Sequence, residues 1–165
     1  MRKMLAVRPA VAALTALAVT VATLVSAAEA TGTRTATVRI STRTLPKLGT
    51  ILVNSQGRTL YMFVPDKQSR VTCLATCAAV WPPLKLPAGA KAVAAGQTKT
   101  ALLGSDRDPA GGRVITYAHW PLYTYVADTA AGQAKGQALN LNGGYWYVLS
   151  PSGKVIHTKT HSGYR

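Results

Sequence analysis

The chain has 165 residues, with 19 Lys and Arg against 5 Asp and Glu and a formal net charge of +14. That length suits one domain with a sizeable core. The basic balance narrows the partner classes to nucleic acid, anionic cell-surface polymer or anionic lipid. The cations beyond residue 30 are all single, and neither an RNA-recognition signature nor zinc-finger spacing is present, so nucleic acid is not the expected partner.

The N-terminus reads as a signal peptide. Arg2, Lys3 and Arg8 form the positive end, Val11 to Val25 the apolar run, and Ala28-Glu29-Ala30 the small-x-small site. Cleavage is expected after Ala30, with a cut after Ala28 as the near alternative. The apolar run is about 15 residues, short for a span of roughly 20. Residues 31–165 then carry a net charge of +12, since three cations and one anion leave with the leader. No Cys follows the cleavage region, so no lipobox is read.

Residues 31–46 are Thr- and Arg-rich and read as a flexible leader, with a short strand at Ala36–Ile40. Leu48–Val53 and Thr59–Val64 read as strands joined through Asn54-Ser55-Gln56-Gly57. Pro65 ends the second, because proline cannot donate to a central ladder. Thr72 to Trp81 is the helix candidate, capped by Thr72 and stopped by Pro82-Pro83. Pro87 to Thr100 reads as a surface loop. Val114–Tyr117 and Leu122–Val126 form the next expected strand pair, followed by a Gly/Asn-rich loop over 129–144. Tyr145–Leu149 and Val155–Thr158 make a last hairpin, and 159–165 a tail. The class is all-β, with one short helix at 72–81.

Two segments share one pattern. Leu60-Tyr61-Met62-Phe63-Val64-Pro65-Asp66 and Leu122-Tyr123-Thr124-Tyr125-Val126-Ala127-Asp128 both read Leu-Tyr-x-aromatic-Val-x-Asp. Each Asp is followed by a Trp, Trp81 in one half and Trp146 in the other, and a proline lies beyond each Trp, Pro82 and Pro151. The repeat predicts a duplicated β domain over 47–158, with repeat one at about 47–87 and repeat two at about 101–158. The two are expected to pair as one pseudo-symmetric sandwich or barrel-like domain.

With Cys73-x-x-x-Cys77-x-x-x-Trp81-Pro82-Pro83, Trp120-Pro121, Gly136-Gln137 and Tyr145-Trp146-Tyr147-Val148, these segments resemble the bacterial "secreted repeat of unknown function" family. The resemblance runs from about Leu48 to Pro151. It implies a small, envelope-associated β domain with a Tyr-x-aromatic-x-x-Asp motif, and no established activity. Many such proteins are lipid-anchored; this chain departs from that pattern in lacking the lipobox Cys.

Candidate chemistry is sparse. Cys73 and Cys77 are the only cysteines, and outside the cytoplasm an even pair suggests a disulfide. On a helix their Cα atoms would lie about 6 Å apart, so the turn would have to distort. The competing reading is a thiolate pair binding a soft metal with His119, His157 or His161. Asp66 and Asp128 invite a paired-carboxylate hydrolase. The plainer reading makes each Asp an Asx-turn at a strand end. Tyr61, Phe63, Tyr123 and Tyr125 alternate within their strands, so each pair faces one side. Together with Trp81, Trp120, Trp146, Tyr145 and Tyr147 they are either core or an exposed aromatic platform. The expectation is an exported, non-catalytic domain without cofactor. Its role would be binding or structural at the cell surface, with anionic wall or membrane-surface polymers or another envelope protein as partner. Metal or redox handling through Cys73 and Cys77 is the alternative.

Overall fold

The computed structural model describes residues 35–66 and 70–158. The expected signal peptide, the first leader residues, His161 and the tail from 159 lie outside the described residues. Two similar hairpins organise the two halves. In the first, β1 (Thr37–Leu45) pairs antiparallel with β2 (Gly49–Asn54). In the second, β6 (Leu103–Arg107) pairs antiparallel with β7 (Arg113–Tyr117). The first turns at Lys47 and Gly49, both at positive φ. The second turns at Asp108, whose carboxylate accepts the Ala110 N–H in a two-residue Asx-turn.

The chain returns from each hairpin in the same register. Asn54 N–H donates to Arg58 O in repeat one, and Tyr117 pairs with Trp120 of β8 (Trp120–Pro121) in repeat two. Leu60 N–H then donates to Leu52 O, and Leu122 N–H to Ile115 O, both at 3.0 Å. The repeated segments thus occupy equivalent places. They enter the centre of the molecule, where β3 (Tyr61–Phe63) pairs with β10 (Gly144–Leu149). Around these lie β4 (Lys85–Leu86) on β7, β9 (Asn140–Leu141) on β10, and β11 (Val155–Ile156) on β10. The result is three small sheets with no closed barrel.

The central strands are buried on both sides. Tyr61, Phe63, Tyr123, Trp146 and Val148 face one cluster, with Trp81 and both cysteines. Leu60, Met62, Leu122 and Leu149 face a second, more aliphatic cluster with Ile40, Leu52, Ile115 and Tyr117. Alternate residues of a strand point to opposite faces, so a run such as Leu60-Tyr61-Met62-Phe63 without polar interruption fits two-sided burial.

Several elements differ from the sequence expectation. The helix is one turn, α1 (Thr76–Val80), not 72–81. Thr72 does not cap it, because both its N–H and its hydroxyl donate to Asp66, and Ala75 turns the chain at φ 50°. Leu122–Val126 is not a strand. Its N–H groups go to four neighbours in turn: Ile115, Tyr61, Pro82 and Val80. Pro82 and Pro83 have no N–H to give back and Leu84 N–H donates to Leu122 O, so the pairing there is limited to the isolated bridge of Pro83 with Tyr123. The loop 87–100 contains β5 (Lys91–Ala94), which extends β1 in parallel. The polar strand β6, Leu-Gly-Ser-Asp-Arg, has no apolar alternation to announce it. Pro82 and Pro151 are not counterparts, because the residue after Trp146 in register is Tyr147.

Candidate functional site

The two copies of the motif meet at their tyrosines. Tyr61 N–H donates to Tyr123 O at 2.8 Å, and Tyr123 N–H donates back to Tyr61 O at 2.9 Å. This reciprocal pair defines a local twofold relation between the repeats. The side chains obey it too. Tyr61 Oη donates to Asp128 Oδ2 at 2.6 Å, and Tyr123 Oη donates to Asp66 Oδ2 at 2.5 Å. Each repeat therefore supplies the hydroxyl for the other repeat's carboxylate.

The second oxygen of each Asp holds its own following loop. Asp66 Oδ1 accepts from Thr72 N–H at 2.7 Å and Thr72 Oγ1 at 2.6 Å. Asp128 Oδ1 accepts the Lys135 N–H at 2.8 Å. The expected Asx-turns are thus replaced by wider loop clamps, six and seven residues long. The four groups are all buried. Burial raises both carboxyls above the usual carboxylate range, while the donated hydrogen bonds, from Thr72 and Tyr123 at Asp66 and from Tyr61 and Lys135 at Asp128, pull them back. The positive charges of Lys135 and Arg58 also lower Asp128. Both tyrosines are pushed well above their ordinary value, first by burial and then by the facing carboxylate.

Beside these pairs stands a column of four rings. Phe63 stacks on Trp146 at 4.1 Å, Trp146 on Trp81 at 3.9 Å, and Trp81 on Tyr125 at 4.1 Å. Tyr61 meets Trp81 edge-on at 5.4 Å, and Tyr123 meets Trp146 edge-on at 5.2 Å. Offset-stacked and T-shaped pairs are the favoured aromatic arrangements. The column leaves no room at Gly136, where a Cβ would lie 2.7 Å from the Trp81 ring and 2.9 Å from that of Tyr61.

Phe63, Trp81, Trp146, Tyr61 and Tyr123 are therefore core, and Tyr125 is half-buried at the column's end. Trp120 is half-buried and packs against the second cluster. A partly exposed aromatic row lies elsewhere. Tyr145 is 43% exposed and stacks with Tyr147 at 5.8 Å, and Tyr147 meets His157 at 4.7 Å.

Cys73 and Cys77 form a disulfide with a Cα separation of 5.2 Å. Cys73 precedes the helix, so no helical turn has to distort. With the sulfurs bonded to each other, neither is a thiolate for a metal. Among the described residues, no three His, Cys, Asp or Glu side chains cluster as a metal site.

Two further contacts and one cleft lie outside the sequence expectation. Gln137 is buried. Its amide donates to Ile156 O and Thr158 O, and its oxygen accepts the Val148 N–H, which ties β11 to the loop before β10. Buried Asp108, in the turn between β6 and β7, pairs with Lys85 of β4. A cleft of about 460 Å³ beside β1 is lined by Arg39, Ser41, Arg43 and the Asn54–Gly57 turn. The alternation of Arg39, Ser41 and Arg43 along β1 was the available signal for the last. No local signal marks the partners of Gln137 or Asp108.

A family model described as a secreted repeat of unknown function matches residues 42–85 and again residues 105–150. The two matches cover more than half of the chain and fall on the two hairpin-plus-motif halves described above. No curated protein and no solved structure matches the chain significantly.

Proposed function

This chain belongs to the family of secreted repeats of unknown function, and we propose that it is a non-catalytic module that binds anionic polymers of the cell envelope. The carrying observation is how charge is distributed. Of the four Asp among the described residues, Asp66, Asp108 and Asp128 are buried and Asp106 is half-buried. Of the twelve Lys and Arg there, eleven are exposed and Arg58 is half-buried. The protein hides its negative charge and presents positive charge to solvent. Such a surface attracts polyanions at long range and lets go as salt screens it.

Arg39 and Arg43 give this field a local focus. Residues four apart on a strand share a face and lie about 13 Å apart, so both can reach one extended polymer along the cleft. The repeat's own ionisable residues support the non-catalytic reading, because Asp66, Asp128, Tyr61 and Tyr123 are engaged with one another inside the fold. A hydrolase would need its carboxylates free to meet substrate.

The test uses isolated cell walls, intact or stripped of their anionic polymers. The secreted domain is expected to bind intact walls at low salt, to release at high salt, and to bind several-fold less well as Arg39→Gln/Arg43→Gln. Equal binding to stripped walls would reject the reading. A second reading, docking to another envelope protein, draws on the Tyr145–Tyr147–His157 row, in which Tyr145 and His157 are exposed and Tyr147 is half-buried. It predicts association that resists salt and is lost in Tyr145→Ala/Tyr147→Ala.

A further inference from the structure

We propose that Arg58 holds a small carboxylate-bearing ligand in a pocket at the seam between the repeats. The argument rests on where the two repeats differ. The backbone register makes Asn54 the counterpart of Tyr117, Arg58 of Trp120, and Pro82 of Tyr147. In repeat two these positions are filled with rings: Tyr117 is fully buried, and Trp120 and Tyr147 pack against the second core. In repeat one the same place carries smaller or polar groups, and it stays open as a cleft of about 280 Å³.

The chemistry of the opening is specific. Arg58 lies in its wall, and the guanidinium Nη1 is buried without a hydrogen-bond partner. A buried unsatisfied donor costs about 1–3 kcal/mol, more when charged. No protein acceptor holds the guanidinium at Nη1, while the accessible part of this half-buried residue lines the cleft. The Asp128 carboxylate feels the charge of Arg58, but its oxygens are engaged by Tyr61 and the Lys135 N–H. The remaining wall divides in two. Gln56 and Thr124 offer polar side chains, while Pro82, Tyr125 and Val126 form an apolar side, and Val126 is 52% exposed. Arginine matches a carboxylate through two parallel hydrogen bonds. A planar carboxylate on a small apolar ring or side chain fits both halves. The volume lies just below the usual range for small-molecule sites, so the occupant is a head group or a single small acid.

This site adjoins the polymer-binding cleft at Arg39 and Arg43 and shares Asn54 and Gln56 with it, but Arg58, Pro82 and residues 124–126 line this site alone, so its failure leaves that reading untouched. The test follows backbone amide NMR signals of the secreted domain titrated with benzoate, benzamide and phenyl phosphate. Benzoate is expected to shift Arg58 and residues 124–126 saturably, positions that line this cleft and not the one at Arg39 and Arg43. Benzamide should bind about tenfold or more weakly, because it lacks the charge that pairs with arginine. Arg58→Gln should lose benzoate binding while keeping salt-sensitive wall association. Arg58→Trp, the residue repeat two uses, should fill the pocket and also lose it. The proposal is overturned if benzoate gives no saturable shift, if benzamide or Arg58→Gln binds as well as the parent pair, or if phenyl phosphate binds more tightly than benzoate.

Discussion

The repeated Tyr and Asp are best understood as donors and acceptors exchanged between halves. A hydrogen bond to a buried charged group contributes about 1.5–3 kcal/mol. Tyr61→Phe and Tyr123→Phe should therefore each destabilise by about 2 kcal/mol, and by similar amounts, since the two sites are near-equivalent. Urea unfolding of each single variant checks this; a neutral effect at either would show that its carboxylate finds another donor. The pH dependence has a definite sign. Both Asp carboxyls titrate above 3.8 in the fold, so the folded state holds protons that the unfolded chain has released. Their contribution to stability is complete below pH 3.8 and is lost as pH rises through the raised values. The denaturation midpoint of the parent, compared with Asp66→Asn/Asp128→Asn, should thus gain on going from neutral pH toward pH 4. The tyrosines act at the other end. Their values are raised from 10.0, so their contribution is complete below pH 10 and lost above it, and Tyr61→Phe/Tyr123→Phe should flatten the alkaline limb. Gly136→Ala should cost about 1–3 kcal/mol by overpacking against Trp81 and Tyr61.

Elements in this fold are short because the repeat motif, not long ladders, holds them. The one-turn helix α1 is too short to be stable by itself, and the Cys73–Cys77 bond ties its first turn to the segment before it. Closing so small a loop should contribute about 2 kcal/mol on the chain-entropy account. Thermal unfolding of Cys73→Ser/Cys77→Ser, or of the parent under reductant, should show that loss with the native aromatic packing retained. The differences between expectation and structure also belong to this scale. A Thr before an apolar run reads as a cap, but Thr72 is claimed by a carboxylate six residues back. Alternation in Leu122–Val126 reads as a strand, but Pro82 and Pro83 opposite it have no N–H, and pairing there stops at one bridge. Residues 91–94 become a strand because β1 offers them an edge, and small half-buried side chains give little local sign of that.

The whole molecule is a pair of incomplete units. Along the aromatic column the rings come from repeat one, two, one and two in turn: Phe63, Trp146, Trp81, Tyr125. Either repeat alone would leave gaps the size of an indole and two buried groups without partners. Residues 35–99 or 100–158 expressed singly should show no cooperative unfolding transition, whereas 35–158 should show one; calorimetry of the three decides it. The sequence by itself determined the all-β class, the duplication and the candidate cysteine pair. Those are periodic or composition signals, readable from neighbours along the chain. Which tyrosine serves which carboxylate, the two-sided core, the burial of nearly all the negative charge and the unfilled place at Arg58 were decided only by tertiary structure. They depend on positions far apart in the chain, most of them some 60 residues apart and meeting across the twofold relation, and a repeat shows that two copies exist without showing how they exchange partners.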